Sequence, residues 1–300
     1  MTHQAAEPAV PTPAKSRGAR LTIGVLVVLG VIVVYALSLF GVNWLATSVP
    51  PLPEPDLGTT EDTVVQVRVE KLEPVANRLT VNVLVIPEDS KFDKRLDVLT
   101  QDLAVRLYPE NDLGDLQYPV GKSLAQVSTQ IEAEGDPANW PFDSYTTGVI
   151  SADVIVGMGD SRYKEPARIE VIGSVDGWDV SLQRVGESSQ STNRPDNVII
   201  TLHRARGTLI FDLGIILVLV SLPTLALWVS IPMVLGRKKF LPPFVSWFAA
   251  MLFAVVPLRN ILPGNPPPGA LIDQAITLWV LIALIVAMTL FIVAYRRQSD

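Results

Sequence analysis

The sequence predicts a membrane protein of the α+β class: four transmembrane helices, one N-terminal and three C-terminal, with an external antiparallel β-sandwich domain between the first and the second. Three observations predict it. Nearly continuous apolar runs lie at 21–42, 208–235, 240–256 and 275–294. Charged residues are 18% of the chain, against about 25% in an ordinary globular protein, and the deficit is concentrated in those runs. The segment 47–207 is polar, and its apolar residues recur with a period of two.

The elements follow in order. Residues 1–20 form a short tail that carries Lys15, Arg17 and Arg20. A bilayer core of about 30 Å needs about 20 apolar residues in a helix, and 21–46 supplies them without a charge before Trp44, an interfacial residue type. A cleaved signal peptide is the competing reading, but its apolar region is shorter, about 7–15 residues, and ends in a small-residue cleavage site. The spacing favours an uncleaved signal anchor. The second span, 208–235, contains Pro223 and Pro232, which remove backbone donors and kink a helix. A turn at 236–239 leads to the third span, 240–256, opened by Pro242 and Pro243. A Pro/Gly-rich loop, 257–269, joins it to the fourth, 270–295, and 296–300 is a tail.

Orientation is read from cations in the short flanks. Lys15, Arg17, Arg20, Arg237, Lys238, Lys239, Arg296 and Arg297 all fall on one side of four alternating spans, against Arg259 alone in the opposite short loop. The positive-inside rule then makes both termini cytoplasmic and 47–207 external in a plasma-membrane protein. Arg204 and Arg206 sit on the wrong side, at the end of a long translocated segment where the rule is weak.

The external domain opens on a Pro-rich stalk, 50–55. Val65, Val67 and Val69 alternate with polar residues, as do Leu79, Val81, Val83 and Val85, then Leu103, Val105 and Leu107. Further strands are expected near 127–133, 149–156, 167–175, 178–185 and 197–203, with a possible helix in 90–101. Asp176-Gly177 signals a hairpin between the last two strands before 197. Eight short strands at this spacing predict the sandwich. With 26 acidic and 15 basic residues in 47–207, the domain is strongly anionic, which favours solubility or a cationic partner.

Composition excludes several chemistries. There is no cysteine, and histidine occurs only at His3 and His203, so disulfides, thiolate metal sites, thiol nucleophiles and histidine-rich centres lack material. The net charge of −6 without a large basic patch argues against a nucleic-acid partner. No phosphate-binding glycine loop, dinucleotide glycine pattern or His-Glu-x-x-His helix is present. No cofactor, metal or catalytic residue is expected.

Three constellations remain. Trp140, Pro141, Phe142, Asp143, Ser144 and Tyr145 are rich in aromatics for this chain. They read as a structural corner in which Pro141 sets the turn, the rings plug the sandwich and Asp143 accepts backbone hydrogen bonds, or as a ligand or coupling loop near the membrane. The segment 257–269 holds five prolines and two glycines; it is too stiff for a floppy loop and is expected to fold against the β-domain or dip into the interface. Asp212, Arg259 and Asp273 fall at the outer boundary of their spans. They read as a clasp between helices or as an ion or substrate entrance.

Trp140 through Tyr145, together with Leu258-Arg259-Asn260 and the run from Pro263-Gly264 to Asp273, resemble the bacterial and fungal membrane family called domain of unknown function 4436 (DUF4436), in an actinobacterial-type member. The resemblance implies the anchor, external β-domain and helical part, and no chemistry. Trp140-Pro141-Phe142-Asp143 is also similar to the Phe-Pro-Phe-Asp loop of pentameric ligand-gated channels, although those place all their spans after the sandwich. The resulting expectation is a non-enzymatic accessory, scaffold or assembly factor of the cell envelope. Its partners would be the lipid bilayer and either an envelope protein or further copies of itself. The alternatives are a channel or transporter subunit using the Asp212, Arg259 and Asp273 level, and a lipid or glycan enzyme.

Overall fold

The computed structural model describes residues 29, 32–33, 36, 40–41, 52–59, 61–188, 195–239 and 243–299. The N-terminal tail, most of the first predicted span and the start of the stalk lie outside the described residues; the six described positions within that span are helical.

Among the described residues the β-domain contains twelve strands: β1 Val64–Glu73, β2 Arg78–Ile86, β3 Phe92–Asp93, β4 Val98–Leu99, β5 Leu103–Tyr108, β6 Leu116–Tyr118, β7 Val127–Gly135, β8 Ser144–Thr147, β9 Ser151–Val156, β10 Tyr163–Gly173, β11 Trp178–Ser188 and β12 Pro195–Arg204. Each of the eight alternating segments is a strand. The inward positions of β1 and β2 are Val65, Val67, Val69, Leu79, Val81, Val83 and Val85, all essentially without solvent contact. Each such side chain contributes about 1.5–3 kcal/mol of hydrophobic stabilisation, and together with the other strands they make one continuous core.

The expected sandwich of separate antiparallel sheets is corrected. Ten strands form one hydrogen-bonded sheet in the order β11-β12-β8-β7-β2-β1-β10-β9-β5-β6. It curls around its core, and Ile150 and Val198 exchange backbone hydrogen bonds of 2.8 and 3.0 Å across the fold. One pairing is parallel: β1 runs beside β10, with Val64 opposite Arg168 and Val69 opposite Gly173. The Asp176-Gly177 turn is present, with Gly177 at φ +80 and a 3.0 Å bond from Trp178 N to Val175 O, but the strands it joins do not pair. β10 already has β1 and β9 as neighbours, so the turn is a corner that carries the chain to the other half of the sheet. The possible helix at 90–101 is replaced by the β3–β4 hairpin. Asp93 Oδ1 accepts from the amides of Arg95 and Leu96 at 2.9 and 3.3 Å, an Asx turn that competes with a helix.

Three described helices follow: α1 Arg206–Val234, α2 Phe244–Asn260 and α3 Leu278–Ser299, the last preceded by a π-helical turn at Asp273–Thr277. Among the described residues two stretches are long and apolar enough to cross a membrane, Arg206–Val234 and Asp273–Gln298. The first expected span falls mostly outside the described residues, and the third corresponds to α2. α2 is apolar but has 17 residues, about 25 Å at 1.5 Å per residue against a core of about 30 Å. It starts after Pro243 and continues through Pro257 to Asn260, four residues into the segment expected to be a loop. Near Pro223 the hydroxyls of Ser221 and Thr224 donate to the carbonyls of Val218 and Val220 at 2.7 and 2.8 Å. The bundle core joins Leu219, Ala226 and Met233 of α1, Phe248, Met251 and Val255 of α2, and Val280, Leu284, Ala287, Phe291 and Ala294 of α3. The alanines are fully buried and let the helix backbones approach closely.

Candidate functional site

A buried polar cluster lies where the sheet passes into α1. Strand alternation sets it up. Val198, Ile200 and Leu202 of β12 face the core, and Arg204 is the next inward position. Asp143, Tyr145 and Thr147 are buried in turn, while Phe142, Ser144 and Thr146 are exposed. The register that puts Leu202 opposite Tyr145 puts Arg204 opposite Asp143. A cross-strand pair of opposite charge therefore caps the inner face of the sheet.

Arg204 is 5% exposed and Asp143 3%. The guanidinium is forked on the carboxylate, Nε to Oδ1 and Nη2 to Oδ2, the second at 3.1 Å. Tyr145 Oη donates to Asp143 Oδ2 at 3.2 Å. Burial pushes the Tyr145 phenol above its ordinary ionisation range, and the adjacent Asp143 charge adds to the shift. The Arg204 Cζ lies 4.8 Å from the Trp178 ring centroid and 5.6 Å from that of Trp140, within cation–π range. Trp178 also meets Tyr145 edge-on at 5.3 Å. A desolvated ion pair is tolerable only when its geometry and remaining hydrogen bonds are good, and the two rings, the tyrosine and the fork provide both.

The loop after α2 closes the cluster. Trp140 is fully buried, and its Nε1 donates to Pro263 O at 3.0 Å; Arg204 Nη1 reaches the same carbonyl at 3.5 Å. Trp140 packs with Leu262, Ala270 and Ile272, and with Ile215 and Ile216 of α1. Gly264 adopts φ +76, and a Cβ there would lie 2.6 Å from Arg204 Nη1. The position demands glycine both for its backbone angle and for the guanidinium lying against it. Asp136 caps the turn before Trp140, accepting from Ala138 N at 2.9 Å.

Trp140 plugs the junction with the helices rather than the sheet core, and Tyr145 is in the sheet core. Pro141 is buried behind a cis Trp140–Pro141 peptide. Phe142 is 70% exposed. Asp143 takes Arg204 and Tyr145 as partners instead of the expected backbone amides, because it faces inward, where a cation is the available donor. Arg259 and Asp273 form a bidentate pair at 2.9 and 2.8 Å. Arg259 Nη2 also donates to Pro266 O at 3.0 Å, and Gly269 N donates to Asp273 at 3.0 Å, so this pair staples the Pro/Gly loop. Asn260 ends α2 with its side chain exposed.

Asp212 does not join Arg259 and Asp273, which corrects the three-residue level. It is fully buried in α1, one turn before Ile215 and Ile216, and the charges that reach it are those of Arg204 and Asp143. Neither of its carboxylate oxygens has a hydrogen-bond partner among the described residues. Sequence reasoning missed Arg204, which it read only as a cation on the wrong side of a span. The signal was its inward register after Ile200 and Leu202. Among the described residues no three His, Asp or Glu side chains converge to hold a metal ion. The cluster can fix one structural unit against another and can hold charge away from water.

Two family models match the chain. One, described as domain of unknown function (DUF4436), matches residues 53–202, half of the chain; the other, described as domain of unknown function (DUF8686), matches residues 204–298. The seam between the matched regions falls at His203, so the Asp143–Arg204 pair ties one to the other. No curated protein matches the chain.

Proposed function

The chain belongs to the DUF4436 family, and from that membership and the buried joint we propose that it is a non-enzymatic accessory or scaffold protein of the cell envelope, in which membrane helices hold an external β-domain in a set orientation for a partner. The observation that carries this reading is the Arg204 cluster. A fully desolvated ion pair, an indole hydrogen bond and a glycine fitted to a guanidinium join sheet, α1 and loop, an arrangement suited to positioning rather than to turnover. Two helices able to cross a membrane and the one-sided cation count support a multi-pass topology with cytoplasmic termini and 47–207 outside. Single cysteines test the topology without background, since the chain has none. A cysteine in place of Ser188 is expected to react with an impermeant thiol reagent in intact cells, and one in place of Ser299 only after permeabilisation. The opposite pattern overturns the topology.

A channel or transporter subunit is the second reading, favoured by one observation: Asp212 is a buried carboxylate without a hydrogen-bond partner among the described residues, in a helix long enough to span. Intramembrane ionisable residues mark transport paths in many proteins. Proteoliposomes separate the two readings. The scaffold gives no solute or ion flux above empty vesicles, whereas reproducible flux lost on Asp212→Asn replaces the scaffold with the transporter.

A further inference from the structure

About 43 Å along α1 from the Arg204 joint, at 1.5 Å per residue, the helix ends in a Schellman motif. Gly236 N donates to Met233 O at 3.1 Å and Arg237 N to Pro232 O at 3.0 Å, with Gly236 at φ +70, the left-handed residue this cap requires. The turn presents Arg237, Lys238 and Lys239 as exposed side chains. It is held from the other side by Gln298, whose Nε2 donates to Met233 O at 3.0 Å and to Lys238 O at 3.1 Å. Beside it lies a cleft of about 350 Å³ between α1 and α2, lined by Trp228, Val229, Met233, Phe244, Lys238 and Lys239. Trp228 stands 73% exposed at the cleft.

We propose that this cleft is a binding site for an anionic glycerophospholipid, its phosphate between Lys238 and Lys239 and the upper part of one acyl chain along Trp228, Val229, Met233 and Phe244. The proposal rests on the membrane-embedded reading above. Charge complementarity identifies the occupant. No Asp or Glu occurs between Asp212 and Asp273, nor between Asp273 and Asp300, so the chain places no acidic residue in this stretch to neutralise the cations. Arg296 and Arg297 emerge at the same end, from the helix that Gln298 ties to the turn. A purely apolar ligand leaves the two lysines without purpose, and a free anion leaves the apolar walls without one. A zwitterionic lipid brings a second cation into a group of cations. The volume suits a head group with the start of a chain, and basic pockets between membrane helices on the cytoplasmic side are suited to anionic head groups.

The test uses the full chain in a mild detergent, with native mass spectrometry and thermal unfolding in the presence of phosphatidylglycerol, phosphatidylcholine or inorganic phosphate. Phosphatidylglycerol is expected to bind one to one and raise the unfolding midpoint, and the other two to do neither. Lys238→Ala with Lys239→Ala is expected to weaken phosphatidylglycerol binding about twenty-five-fold, from about fivefold per cation removed. Trp228→Ala is expected to weaken phosphatidylglycerol binding as well, with inorganic phosphate still not bound. Equal binding of phosphatidylcholine, a full effect from inorganic phosphate, or unchanged affinity in the double lysine variant each overturns the site. Carbonate extraction of native membranes distinguishes this from failure of the membrane reading. Wild type and variants staying in the pellet while lipid selectivity is absent sinks only the site; release of the wild type sinks both.

Discussion

Removing one member of the buried Arg204–Asp143 pair should be far more damaging than removing both. In Asp143→Asn the guanidinium stays buried at 5% exposure, loses the carboxylate fork, and faces an amide whose NH₂ is a donor like itself. Breaking a buried pair from one side costs about 3–5 kcal/mol. For a folded region of this size, about 2–4 °C of melting temperature is lost per kcal/mol, so the midpoint should fall by roughly 6–20 °C. Arg204→Met should lose a similar amount, because Asp143 then keeps only Tyr145. The double variant removes both charges and leaves a methionine against Trp178 and Trp140, a chemically sensible contact; its loss should be about 1–2 kcal/mol, since replacing a buried pair with apolar groups of similar volume is often close to neutral. The coupling between the sites is then about 4 kcal/mol or more. Thermal unfolding of the full chain in detergent, followed by tryptophan fluorescence, reads this out, because Trp140 and Trp178 both lie within 6 Å of the guanidinium. Losses that add within about 0.5 kcal/mol, or an Asp143→Asn loss below about 1 kcal/mol, would refute the claim that the pair is desolvated and holds the joint.

Three further outcomes are expected. Trp140→Phe keeps a ring but leaves Pro263 O without its indole donor and should cost about 1–3 kcal/mol, whereas Trp140→Ala should cost about 3–5 kcal/mol; chemical denaturation separates the two variants. Arg259→Ala should destabilise the chain more than Arg259→Ala combined with Asp273→Asn, as compared by melting in detergent, because the single change strands Asp273 beside Gly269. Acidification should weaken the β-domain. The amide of Thr59 holds the Asp62 carboxyl below its ordinary range, and the Arg106 guanidinium does the same for Asp115. Groups depressed by folding stabilise above their unfolded value, about pH 4, and lose that contribution as pH falls through the folded value, so the urea midpoint should be flat from pH 7 to 5 and decline below pH 4.

Period-two alternation made eight strands legible, since a strand with one buried face writes that face into every second residue. It could not reveal partners. Val65, Val67 and Val69 alternate identically whether β1 pairs parallel or antiparallel, so β10 as the second neighbour of β1 was invisible. The same holds for the Asp176-Gly177 turn, whose local chemistry specifies a reversal but not which strands lie beside it. β6 and β8 are three and four residues long, too short for a pattern. The Arg259–Asp273 pair was readable because an ionisable residue at the end of an apolar helix has few places to go. Asp212 was assigned to that pair for the same reason. Its actual surroundings depend on how α1 meets the Trp140 loop, about 70 residues earlier in the chain, a separation no local signal spans. Arg204 was legible in principle, once the inward register of β12 was followed one step past Leu202.

The parallel pairing of β1 with β10 sets a schedule for biogenesis. Val64 and its partner Arg168 are about 100 residues apart. β2 arrives early and closes one side of β1. The other side of β1, a row of free amides and carbonyls flanked by valines, waits for β10 to be made and delivered. At synthesis rates of about 5–20 residues per second that wait lasts about 5–20 s. During it the nascent domain presents an open strand edge, the feature that invites wrong pairing with other chains. Long-range pairing of this kind also folds slowly. The chain therefore carries its central strand half-dressed for most of the domain's synthesis, and the period of greatest exposure to aggregation ends only when residue 173 is free to pair.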